Sequence, residues 1–120
     1  MSILIKILAT TTLITVVGST YLLADDRRDD AREQVEFGIV VAQKGLWKEA
    51  IYRWKRATEI DPTYAEAYND LAIAYEYEGD FDQAREAYER ALSLDPNNAT
   101  IQENYDLFRE TYDRANLSNQ

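Results

Sequence analysis

Polar and apolar positions divide this chain into two regimes. From Ile7 to Ala24 eighteen residues, ILATTTLITVVGSTYLLA, run without a charge, and DDRRDD follows at Asp25 to Asp30. From Ala31 onward apolar residues recur at helical spacing, interrupted at Gly45 and Gly79 and at the pairs Asp61-Pro62 and Asp95-Pro96. A residue before proline avoids the helical region, so each Asp-Pro predicts a helix end. Each of the two glycines predicts a turn whose backbone a β-carbon would resist.

At about 1.5 Å per residue the uncharged stretch would form a helix about 27 Å long, close to the ~30 Å hydrocarbon thickness of a bilayer. Residues 1–24 are therefore expected to be an N-terminal transmembrane helix, a single-pass anchor, with Tyr21 at the interface. Residues 25–30 are expected to be a charged juxtamembrane linker. The competing reading is a cleaved secretory signal with Lys6 as its charged start. Leu22 then stands three positions before the cut, where a small residue is usual. Arg27, Arg28 and Arg32 outnumber Lys6, which leans the body toward the cytoplasm; export would place it in the periplasm or another extracytoplasmic space.

Sliding the chain against itself gives one strong coincidence, at a shift of 34 residues. Gly45 falls on Gly79, Trp47 on Phe81, Ala50 on Ala84, Trp54 on Tyr88, Arg56 on Arg90, Ala57 on Ala91 and Asp61-Pro62 on Asp95-Pro96. Small residues let antiparallel helices approach closely, and Trp54 and Tyr88 fill the space between them. Each pair leaves an apolar face that only stacking can bury, so an all-α short helical solenoid is expected. Its parts are repeat 1 at 31–64, repeat 2 at 65–98, and a capping helix and tail at 99–120.

This period with these residues resembles the tetratricopeptide repeat (TPR). Tyr68, Leu71, Ala72, Tyr75, Gly79, Phe81, Ala84, Tyr88, Ala91 and Pro96 carry the likeness in the second unit, and Phe37, Gly38, Gly45, Trp47, Ala50, Trp54, Ala57 and Pro62 in the first. The first unit departs from the pattern at Gln34 and Val41, where the family prefers aromatics. The resemblance implies a binding scaffold whose concave groove is lined by the first helix of each pair. Its matching positions are Arg32, Val35, Ile39, Ala42 and Gln43 in unit one, Glu66, Asn69, Ile73, Glu76 and Tyr77 in unit two, and Glu103, Leu107 and Glu110 on the cap. Val35, Ile39, Asn69 and Glu103 lack the basic residues with which some members grip a C-terminal carboxylate, so a chaperone-tail receptor is not expected.

Charge narrows the partner. The chain carries −9 overall. Met1 to Ile60 holds nine Lys/Arg against eight Asp/Glu, or +1, and Asp61 to Gln120 four against fourteen, or −10. Such a surface disfavours nucleic acid. With no Cys and no His, thiolate and imidazole metal sites, disulfides and His-based catalysis are excluded. No cofactor and no enzymatic activity are expected. The groove suits a protein partner, a basic or amphipathic helix or tail or a larger membrane complex. Lys44, Lys48, Arg53, Lys55 and Arg56 form a basic cluster near the anchor that could touch lipid headgroups. Trp47 and Trp54 are read as core, because aromatics recur there one period later.

Overall fold

The computed structural model describes the backbone of residues 2–119 and the side chains of residues 23–119. Five helices follow in order: α1 Ser2–Gln43, α2 Trp47–Ile60, α3 Ala65–Tyr77, α4 Phe81–Leu94 and α5 Ala99–Ser118. Adjacent helices pair as α1 with α2 and α3 with α4. α5 closes the end against α4 and α3.

Both turns within the pairs are built alike. Gly45 and Gly79 sit at φ 77° and 78°. In the first, Gly45 N–H bonds the Ala42 carbonyl at 2.8 Å and Leu46 N–H the Val41 carbonyl at 3.0 Å. In the second, Gly79 N–H bonds Glu76 at 3.1 Å and Asp80 N–H bonds Tyr75 at 2.8 Å. These two bonds satisfy carbonyls that a helix end would otherwise strand, and they require the left-handed residue that glycine supplies. The proline stops also stand where expected. Asp61 leaves the helical region at φ −132°, ψ 94°, and Asp95 at φ −139°, ψ 74°. Asp80 and Asn98 turn their side chains onto the first turns of α4 and α5; the Asp80 carboxylate is thus a helix cap, not chemistry.

The core follows the small-and-large scheme. Ala31, Ala50, Ala57, Ala67, Ala72, Ala74, Ala84 and Ala91 are fully enclosed, with Trp54 and Tyr88 as the large buried side chains beside them. Under α5 lies an aromatic pile: Phe108, 1% exposed, meets Tyr88 at 5.5 Å, Tyr112 at 5.7 Å, Tyr105 at 6.3 Å and Phe81 at 6.4 Å between ring centroids. α5 therefore covers the last apolar face as a cap, and its outer side is mostly polar apart from Leu107 and Leu117.

The segment read as a linker is helical. Asp25 to Asp30 continue α1 without a break, because the run contains neither Gly nor Pro and its Asp29 and Arg28 are paired. Arg32 bonds Asp29 one turn back at 2.6 Å. Arg28 reaches Asp61 at 2.6 Å and the Thr63 hydroxyl at 3.0 Å, with its guanidinium 4.6 Å over the Tyr64 ring. The expected anchor from Ile7 falls, save for Leu23 and Ala24, on side chains outside the described residues. Among the described residues no helix is long and apolar enough to cross a membrane.

Candidate partner-binding groove

α1 and α3 stand side by side with α2 behind them, and between them opens a cavity of about 310 Å3. Ile39, Ala42 and Gln43 enter from α1, Asp70 and Ile73 from α3, and Trp47 and Trp54 form the floor from α2. The floor is rigid. Trp54 is 3% exposed and donates its indole N–H to the Val35 carbonyl at 3.1 Å. Trp47, half-buried, stacks on Tyr77 with centroids 4.2 Å apart, which ties the α1–α2 turn to the end of α3.

The expected groove positions separate into two sets. Ile39, Gln43, Glu66, Ile73, Tyr77, Glu103, Leu107 and Glu110 are exposed. Ile39, Gln43 and Ile73 meet in the cavity, and Tyr77 joins through Trp47. Val35 and Asn69 are buried instead. Val35 belongs to the core and offers only its carbonyl, to Trp54. Asn69 links α3 to the cap by accepting from Asn104 at 3.1 Å. Half-buried Glu76 accepts the Tyr88 hydroxyl at 3.1 Å, and Glu66 the Tyr64 hydroxyl at 3.0 Å. Burial and Glu76 together push the Tyr88 hydroxyl well above its ordinary range. Burial and Glu66 raise Tyr64 to about 12. Two of the four groove glutamates are thus held by tyrosines at the rim of the core.

Asp70 is the residue that the sequence reading missed. It sits four residues after Glu66 and three before Ile73, on the helix face they share. Burial among apolar neighbours pushes its carboxyl up to about 7, and nearby Glu66 adds to this; the Asn69 amide, at 3.4 Å, opposes it. Helical spacing from Ile73 was the available signal.

The basic cluster does not gather into one patch. Arg53 turns toward α1, bonding Glu49 at 2.8 Å and lying 4.3 Å over the Phe37 ring. Lys55 lies on the opposite flank, 5.7 Å over Tyr75 of α3. Arg56 pairs with Glu59 at 2.9 Å, while Lys48 lies near Glu49 and Glu78 at the α1–α2 turn and Lys44 is exposed. Lys44 lies in the turn before α2, and the helical rotation of α2 turns the other four, which are close only in sequence, to different sides.

The chain is similar to proteins built of tetratricopeptide repeats. The tetratricopeptide-repeat profile matches residues 65–98, and a second TPR-repeat profile matches residues 39–76. Residues 39–98 are tetratricopeptide-repeat sequence. Over 85 residues the chain is 35% identical to the type IV pilus assembly protein PilF of Pseudomonas aeruginosa, matching 70% of this chain and 34% of that one. It is 25% identical over 97 residues to the Photosystem I assembly protein Ycf3 of Rippkaea orientalis, covering 69% and 56%. The solved Pseudomonas aeruginosa pilF structure superposes with a TM-score of 0.67 at 32% identity, over 76% of this chain and 40% of that one. The crystal structure of MamA gives 0.65 at 27%, over 71% and 50%. The chain thus spans about a third of PilF and little more than half of Ycf3.

Proposed function

We propose that this chain is a non-catalytic scaffold that holds a protein partner in the α1–α3 groove, as an adaptor, assembly factor or accessory subunit of a membrane complex. The observation that carries the reading is the cavity between Ile39 and Ile73. It is apolar, floored by two tryptophans and open to solvent on a repeat solenoid, and a pocket of that kind accepts an apolar anchor from a helix or tail. The names of PilF and Ycf3, both assembly proteins, lend support.

The uncharged stretch from Ile7 to Ala24 is taken as a membrane anchor, with Arg27, Arg28 and Arg32 favouring a cytoplasmic body. Arg28, riveted to Asp61 and Thr63, would then fix the groove's orientation to the bilayer through one continuous helix. Carbonate washing of native membranes tests the anchor: the chain should stay in the pellet with its N-terminus intact. Recovery of a soluble chain beginning near Asp25 would instead mark an exported binding protein. For the groove, Ile73→Asp should abolish co-purification of the partner while the circular dichroism spectrum stays that of the wild type; unchanged capture would move the interface elsewhere.

A further inference from the structure

Resting on that reading, we infer that the groove's occupant presents an arginine to the cavity, with its aliphatic stem between Ile39 and Ile73 and its guanidinium on the Asp70 carboxylate. Among the described residues Asp70 takes part in no ion pair, although Arg28, Arg32, Arg53, Arg56, Arg85, Arg109 and Arg114 all do. Its single hydrogen bond is the long one from Asn69, which leaves acceptor capacity unused. A carboxylate turned into an apolar cavity is costly when it is charged and alone, and a cation brought by a partner removes that cost.

The cavity discriminates within the cations. Its walls are aliphatic and aromatic, and a guanidinium is planar, weakly hydrated and stacks on aromatic faces, whereas an ammonium keeps its water. The surrounding charge also fits. α1 and α2 present Ile39, Ala42, Gln43, Trp47 and Trp54 to the cavity, none charged. From α3 Glu66 adds negative potential; α4 offers the Tyr88 hydroxyl, committed to Glu76, and α5 the neutral Asn104, committed to Asn69. Among the described residues no cation lines the cavity. Because burial raises the Asp70 carboxyl, recognition should strengthen as pH rises from 6 to 8.

The chain has two tryptophans, and both line this cavity, so their indole N–H signals report on it directly. Full-length protein is titrated with N-butylguanidinium and with neutral, near-isosteric N-butylurea. At pH 8 the guanidinium should shift both indole signals saturably, with an affinity about tenfold above that of the urea. The advantage should shrink at least threefold at pH 6, and vanish at both pH values in Asp70→Asn, whose Trp54 signal in the free protein verifies the fold. Equal responses to the two probes, or a preference that survives Asp70→Asn, overturns the arginine assignment and leaves the groove reading intact. The pH arm in the wild-type protein decides the matter even if the variant misfolds. The groove reading fails separately, if Ile73→Asp leaves partner capture unchanged.

Discussion

Trp54 and Gly38 are in direct contact across the α1–α2 interface. A β-carbon placed on Gly38 would lie 2.7 and 2.8 Å from the indole Cε2 and Cδ1 and closer still to Nε1, while the indole N–H is held by the Val35 carbonyl at 3.1 Å. The ring cannot retreat without losing a buried hydrogen bond, so this glycine exists for space. Gly45 exists for its backbone: nothing lies within 4 Å of its missing β-carbon, but its φ is 77°.

Gly38→Ala should therefore destabilise the body by about 2–3 kcal/mol, since the overpacking exceeds the ~1 kcal/mol that alanine gains in helix propensity. Gly45→Ala should cost only ~1 kcal/mol, the left-handed penalty. Urea unfolding of both variants checks the order; a Gly38→Ala protein as stable as the wild type would show that the indole can move.

Arg28→Gln should cost ~1 kcal/mol at pH 7, discounted for the partial exposure of the arginine. Partial burial works against the Asp61 charge, but the Thr63 hydroxyl and N–H, with Arg28, outweigh it and hold the carboxyl below its usual 3.8. The stabilisation from a lowered carboxyl is present above the unfolded value and is lost as pH falls through the folded one. Wild type and variant should thus differ in melting temperature at pH 7 and converge in acid, once the Asp61 carboxyl is protonated in the folded state as well. A difference that persists in acid would assign the effect to packing of Arg28 on Tyr64.

Phe108→Ala should cost about 3–5 kcal/mol, because the ring is 1% exposed inside the aromatic pile. Removal of Ala99 to Gln120 should unfold the body, since two helix pairs without a cap leave Tyr88 and Phe81 in water. If the truncated chain melts cooperatively near the wild-type temperature, α5 is not the cap.

Asp70→Asn should raise stability at pH 8 by roughly 1–2 kcal/mol, by less at pH 5, and change little below pH ~4. A carboxyl raised to about 7 contributes stability that is complete below the unfolded value and lost as pH climbs through the folded one. The wild-type melting temperature should accordingly fall between pH 5 and 8 more steeply than that of the variant. Parallel curves would mean that Asp70 is solvated in the free protein.

Features set by neighbours in sequence were legible from it. The Gly45 and Gly79 turns, the Asp-Pro stops and the alanine contacts each depend on one residue type in a fixed local geometry, and the 34-residue repeat marked them twice. The cavity was only half legible. Ile39 and Ile73 could be placed by helical spacing, but the burial of Asp70 depends on α1 and α2 side chains distant along the chain, and a carboxylate beside Asn69 looks solvated in isolation. Val35 and Asn69 sit on the expected helices yet face inward by a fraction of a turn, which a position mapping cannot resolve. The charge run from Asp25 looked like a linker because its partner, Asp61, lies across the fold.

The most direct test of the central claim is position-resolved photocrosslinking in intact cells. Ile73 in the groove and Arg90, which lies over Tyr68 on the opposite groove between α2 and α4, are replaced one at a time by benzoylphenylalanine. The account predicts one defined crosslinked partner from position 73 and none from position 90, with the position 73 adduct lost when an excess of the identified partner's own arginine-bearing segment is added as peptide. A defined adduct from position 90 with none from position 73 would contradict it.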